Sequence, residues 1–170
     1  MADAPYERTL VPFVGNERDG LAAWLDSQRE TILWKIEGLD DEQLRRVMVP
    51  SGVSLLGLVK HLTADEHGWF VVLFAATGEP QIYESSDDPD FDMHPTDDET
   101  TAGIIDGYVR ACARSREIYE AAPSLDATFE HPRRGTMSLR WLMLHMIEET
   151  ARHNGHADIM RELIDGATGY

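Results

Sequence analysis

Apolar residues recur at helical spacing in four stretches of this chain, separated by segments that break the pattern. From about Glu17 to Gly38, the residues Leu21, Trp24, Leu25, Ile32 and Ile36 share a face, and Gly38 supplies a stop. Ser54 caps a second helix expected to reach about Ala76, with Leu55, Leu58, Leu62, Trp69, Val72 and Leu73 clustered on one side. A third runs from about Glu99 to Ala122, capped by Thr96 or Asp97, with Ile104, Ile105, Tyr108, Cys112, Ile118 and Tyr119 inward and Pro123 beyond its end. The fourth begins near Ser138 and ends at Ile164, with Asp165-Gly166 as its stop.

The intervening segments are of other kinds. Residues 1–14 read as an extended lead-in, since Pro5 and Pro12 work against helix. Leu39 to Arg46 adds a short helical turn before Pro50. Glu79 to Asp98 carries Pro80, Pro89, Pro95 and eight acidic residues among twenty, with little periodicity. It reads as a long surface loop, either a lid or simply a solvated and mobile stretch. Ser124 to Met137, containing His131-Pro132 and Gly135, is a second connection. Without a convincing strand run, the expectation is an all-α four-helix bundle with long connecting loops, formed as a single domain over residues 1–170.

The fourth helix contains an anomaly. With His145 set at zero and a step of about 100° per residue, Glu149 falls at about 40°, His153 at about 80° and His156 at about 20°. Leu142 and Met160 fall at about 60° and Met146 at about 100°, so four ionisable side chains are expected inside the apolar stripe. Buried polar groups need hydrogen bonds, and buried charges need a partner or a metal ion. Glu149 and His153, four residues apart, can reach one ion from a single helix surface. His61, at the edge of the second helix's apolar face, is the best third ligand, and Asp65 lies one turn further on. Imidazole and carboxylate together suit zinc, nickel, iron or copper, and three protein ligands leave a position for water or substrate. The competing reading is a hydrogen-bonded polar network within the core.

Composition narrows the partners. The 170 residues hold 31 acidic against 15 basic side chains, a net charge of −16, which argues against nucleic acid and anionic membranes. No apolar run reaches the length of a membrane span, and the N-terminus lacks the apolar core of a secretory signal. With Cys112 as its one cysteine the chain forms no internal disulfide, and a cytoplasmic setting is the default. The spacing of Cys112 among apolar residues marks it as a core thiol. His-Glu-x-x-His is absent, and His145-x-x-Glu148 reverses the Glu-x-x-His order of di-iron bundles. His67 falls on the outer side of its helix, while His94 and His131 fall in loops, none with a clear partner.

The run Glu149-Thr150-Ala151-Arg152-His153-Asn154-Gly155-His156-Ala157-Asp158 closely resembles the DinB superfamily, in its branch called domain-of-unknown-function family 664. The segment from Pro50 through Ser54 and His61 to Leu62 resembles that family's second helix, and the likeness extends over essentially the whole chain. The resemblance implies a four-helix bundle with a divalent metal held by a histidine of the second helix and a His-x-x-x-His pair of the last. Mapped here, those positions are His61, Glu149 and His153. The glutamate departs from the commoner histidine but resembles mycothiol-dependent maleylpyruvate isomerase, a member of the same superfamily. His156 stands where many members carry glutamine, as an extra ligand, an outer donor or a proton carrier. The departure leaves the metal open and keeps His145 and His156 as alternatives.

Characterised relatives are thiol-dependent enzymes, so the resemblance further implies mycothiol as cosubstrate, with a small-molecule thiol and an electrophile as partners. The leading expectation is a metal-dependent S-transferase or isomerase in which His61, Glu149 and His153 hold the ion, zinc first and nickel or iron next. His156 or His145 would be the acid/base. The alternatives are a non-enzymatic metal-binding or stress-associated bundle and a metal-assisted hydrolase, with a homodimer left open in each case.

Overall fold

The computed structural model describes residues 9–169, so the first eight residues of the expected lead-in lie outside the described residues. Helix α1 spans Glu17–Ile36, α2 Asp41–Arg45, α3 Leu55–Glu66, α4 Thr101–Ala121 and α5 Leu139–Asp165. Helix α3 continues as a π-helical segment over His67–Phe74, which carries the expected second helix to Phe74. A single 3-10 turn, Phe91–Met93, interrupts the acidic loop. The four long helices form the expected all-α bundle, in which α1 packs chiefly on α5 and α3 on α4, with α3 also meeting α5.

Local chemistry sets the boundaries. Ser54 accepts from the Gly57 amide and starts α3, and Ser138 accepts from the Trp141 amide and starts α5, both as expected. Gly166, with φ at 77°, ends α5 in the left-handed conformation that a Cβ would strain. Helix α4 departs from expectation by starting later: Thr100 caps it through the Gly103 amide, whereas Thr96 is committed to Asp98 and Glu99. The connection after Pro123 also differs, because it folds as a hairpin. Strand β1, Thr128–His131, pairs antiparallel with β2, Gly135–Ser138, and Phe129 is buried beneath it. Two strands of four residues are too short to leave a periodic signal against the bundle's helical pattern.

The core is in two parts. One apolar cluster gathers Ile32, Leu58, Leu62, Ile104 and Met160, and the other gathers Leu25, Phe70, Leu139, Leu142 and Met146. Between them each long helix contributes a buried polar residue: Arg29, Glu66, Ser115 and Thr150. Arg29 and Glu66 form a two-pronged pair, Nε to Oε1 at 2.7 Å and Nη2 to Oε2 at 2.6 Å, and Arg29 also reaches Asp26 at 2.9 Å. Burial alone would lower the Arg29 guanidinium, but the Glu66 carboxylate outweighs it and leaves its pKa raised. Cys112 is buried in the first cluster, as expected of a core thiol, and burial pushes its pKa up, away from reactivity. Among the described residues no helix is long and apolar enough to cross a membrane.

The acidic segment is neither a lid standing clear of the bundle nor a free loop; it is fastened across α3. Lys60, fully buried, donates to the His94 carbonyl at 2.9 Å and pairs with Glu99 at 3.0 Å. Its ammonium also stands 3.9 Å from the centre of the Phe91 ring. The loop backbone meets α3 at Gly57, where a Cβ would lie 2.1 Å from the Met93 carbonyl oxygen. Alanine in a helix interior ordinarily stabilises by about 0.5–1 kcal/mol over glycine. Here the clash reverses the sign, and Gly57→Ala is expected to cost about 1–3 kcal/mol. An unchanged thermal melt for that variant would mean that the loop does not press on α3 as described.

Candidate metal centre

Helices α3 and α5 bring His61, Glu149 and His153 together, one ligand-type atom of each lying within 4.8 Å of the others. His153 Nε2 is 3.0 Å from Glu149 Oε1, and His61 Nε2 is 3.8 Å from the same oxygen. The two imidazole rings meet edge to face with centroids 4.8 Å apart. Glu149 is held from the solvent side by Arg152 at 2.9 Å.

His61 is fixed from behind by a residue that sequence reasoning missed. Asp92 Oδ2 lies 2.7 Å from His61 Nδ1, which leaves Nε2 pointing into the cluster. Carboxylate support at one imidazole nitrogen, with the other turned to the ion, is the usual arrangement behind a metal-binding histidine. In the sequence Asp92 is one acidic residue among the eight of residues 79–98, and nothing in its spacing distinguishes it. The neighbouring histidine is also fastened: His94 Nδ1 lies 2.7 Å from Asp88 Oδ2.

The cluster sets two histidines among carboxylates, and each group's pKa is shifted by the others. Burial alone would lower the His61 imidazole, but the Asp92 hydrogen bond and the charges of Asp65, Asp92 and Glu149 leave its pKa raised. Asp65 is pushed up to about 6, first by burial and then, against the pull of His61, by Glu149 and Asp92. Burial would raise Glu149, yet His153 and Arg152 hold it below the usual carboxylate range. His153 is lowered, by burial first and then by His61. Two imidazole nitrogens, His61 Nε2 and His153 Nδ1, are buried with no hydrogen-bond partner among the described residues. His61 Nε2 stands 3.2 Å from Asp65 Oδ2 but is not hydrogen-bonded to it. With Nδ1 held by Asp92, a neutral His61 would turn a free Nε2 toward Glu149 and Asp65, and imidazole nitrogens beside a carboxylate are a donor set that fits a divalent transition ion.

The remaining candidates lie to either side. His156 is exposed, and its ring is 5.4 Å from that of His153, one step beyond the cluster. His145 stacks on Trp141 at 5.0 Å and meets Trp69 edge-on at 4.6 Å, which leaves it half-buried with its pKa lowered by desolvation. With Glu148 and Glu149 it forms a second group that could hold an ion, sharing Glu149 with the first. His131, expected in a loop without a clear partner, ends strand β1 and lies tilted against Trp69 with ring centres 5.6 Å apart, and His67 meets the Pro80 carbonyl at 2.9 Å.

One expectation about the helix itself needs correction. The buried face of α5 runs through Leu142, Met143, Met146, Thr150, His153, Ala157 and Met160, so it centres about 110° from His145. His145, Glu149 and His156 therefore flank the apolar stripe, and only His153 lies well within it. That offset leaves the His61 and Glu149 side chains 14 % and 15 % exposed at the α3–α5 seam.

No curated protein matches the chain. The sequence profile of the family described as mycothiol-S-transferase matches residues 20–166, which takes in all the long helices but the first turn of α1. The chain therefore belongs to the DinB-like mycothiol S-transferase family.

Proposed function

We propose that the protein is a divalent-metal-dependent S-transferase that adds a mycothiol-type thiol to a small electrophile. The observation that carries this reading is the convergence of His61 Nε2, Glu149 and His153 on one point between α3 and α5, with the His61 nitrogen buried and unpaired among carboxylates. Zinc is the first candidate ion, with nickel and iron next. A bound ion would hold the thiol sulfur as thiolate at neutral pH, where a free thiol is mostly protonated.

The chain's own side chains supply the rest. Asp92 fixes the tautomer and the orientation of His61. Arg152 keeps Glu149 turned toward His153. His156, exposed beside His153, is placed to take the thiol proton and return it to the electrophile's leaving oxygen. His145 sits on the other flank as the alternative proton carrier, and its lowered pKa keeps it neutral and able to accept. The family match supports transfer over isomerisation, hydrolysis or a non-enzymatic role. The same reading takes the chain as one domain working in the cytoplasm, where thiols stay reduced.

The direct test is consumption of mycothiol in the presence of epoxides and other electrophiles by metal-loaded protein. We expect turnover that depends on added metal, and inertness across a broad panel would overturn the assignment. Asp92→Asn is expected to weaken metal binding by about 10–100-fold while leaving the three ligands in place. Equal metal affinity in that variant would remove Asp92 from its supporting role.

A further inference from the structure

Beside the candidate metal centre lies a cavity of about 300 Å³ whose chemistry is the opposite of the centre's own. It runs between the second half of α5 and the segment that leads into α3. Val49 and Val53 form one wall and Ile159 and Leu163 the other, and the lining is aliphatic or thioether except for Ser51 and His156. Ile159 is 62 % exposed and Leu163 64 % exposed, and they line the groove with Val49, itself 38 % exposed, so the exposed apolar surface here is contiguous. His156 belongs both to this groove and to the edge of the metal cluster, since its ring lies 5.4 Å from that of His153.

We propose that this groove is the subsite for the apolar part of the electrophile, so that the enzyme favours substrates bearing an alkyl or aryl substituent next to the reactive carbon. The inference rests on the thiol-transfer reading and adds the substrate class to it. A molecule lying along Ile159 and Leu163 presents its end at His156, where the reactive carbon meets the thiol. For an epoxide, the thiol sulfur bonds to one ring carbon, the bond from that carbon to oxygen breaks, and the proton leaving sulfur ends on the oxygen. Atoms and charge then balance with no further reactant.

A second copy of this chain is the weaker occupant. A stable protein interface needs roughly 20–30 residues a side, and this groove is lined by eight. The net charge of −16 also opposes self-association. The size suits a small ligand: binding pockets of about 300 Å³ stand at the lower end of the usual range.

The test pairs binding with kinetics, using the double variant Ile159→Ser/Leu163→Ser, whose exposed positions leave the fold intact by thermal melt. Binding of the neutral fluorophore N-phenyl-1-naphthylamine to metal-free protein is expected to weaken by about tenfold or more in the variant. With mycothiol, the wild-type ratio of kcat/KM for 1,2-epoxyoctane over 1,2-epoxypropane is expected to exceed about ten and to collapse toward one in the variant. Unaltered fluorophore binding, or a ratio that does not respond to the substitutions, overturns the groove while leaving thiol transfer standing. Fluorophore binding that the variant loses, with no thiol consumed by either protein, overturns thiol transfer and leaves an apolar-ligand site. A wild-type dimer that the variant converts to monomer, seen by sedimentation, overturns the proposal in favour of a subunit contact.

Discussion

Replacing Arg29 by methionine is expected to destabilise the protein by about 3–5 kcal/mol, more than any other substitution proposed for this fold. Arg29 and Glu66 are 4 % and 1 % exposed, so removing the guanidinium leaves a carboxylate with neither water nor a counter-charge. The pair's net contribution is a different matter, because desolvating two ions cancels much of their attraction. The double variant Arg29→Met/Glu66→Leu is therefore expected to recover most of the loss, since both charges go and the volume is kept. Urea unfolding of the two variants separates the cases. A single variant that loses less than about 1 kcal/mol would show that Glu66 finds another partner or water. The pair sits in the polar layer between the two apolar clusters, and it fixes the level at which α1 and α3 pass each other.

His153→Ala is expected to abolish stoichiometric metal binding and to reduce thiol transfer by more than about 100-fold, beyond what loss of an outer-shell partner costs. His153 is the one member of the cluster that lies well inside the apolar face, so truncating it also opens a small void between α3 and α5. Glu149→Gln keeps the shape and removes the charge, and is expected to lose metal with little change in the melt. If His153→Ala retains one ion per chain while Glu149→Gln loses it, the second group, His145 with Glu148 and Glu149, becomes the better site.

Much of this arrangement was readable from residue spacing. The four long helices, the Ser54 cap, the start of the last helix near Ser138 and its Gly166 stop follow from local chemistry that the structure reproduces. The i, i+4 pair Glu149 and His153 follows from helical arithmetic, and His61 joins it through the packing of α3 on α5. What was not readable depends on long-range contact. Arg29 and Glu66 are 37 positions apart and look like ordinary surface charges until α1 and α3 meet. Asp92 reaches His61 only because Lys60 and Gly57 clamp an irregular loop over α3. The centre of the α5 stripe was misplaced because Thr150 and Asn154, both polar, are buried and shift the true inner face away from His145 and His156. The hairpin of Thr128–His131 and Gly135–Ser138 was missed for want of length.

The central claim, that His61, Glu149 and His153 hold an ion at which a thiol binds, is tested most directly by loading the protein with cobalt(II) and adding mycothiol. We expect one cobalt ion per chain, a visible spectrum of low-symmetry coordination, and a new sulfur-to-cobalt charge-transfer band on addition of the thiol. His153→Ala should show neither spectrum. A wild-type protein that binds no cobalt, or that binds it with no spectral change on adding thiol, would contradict the claim.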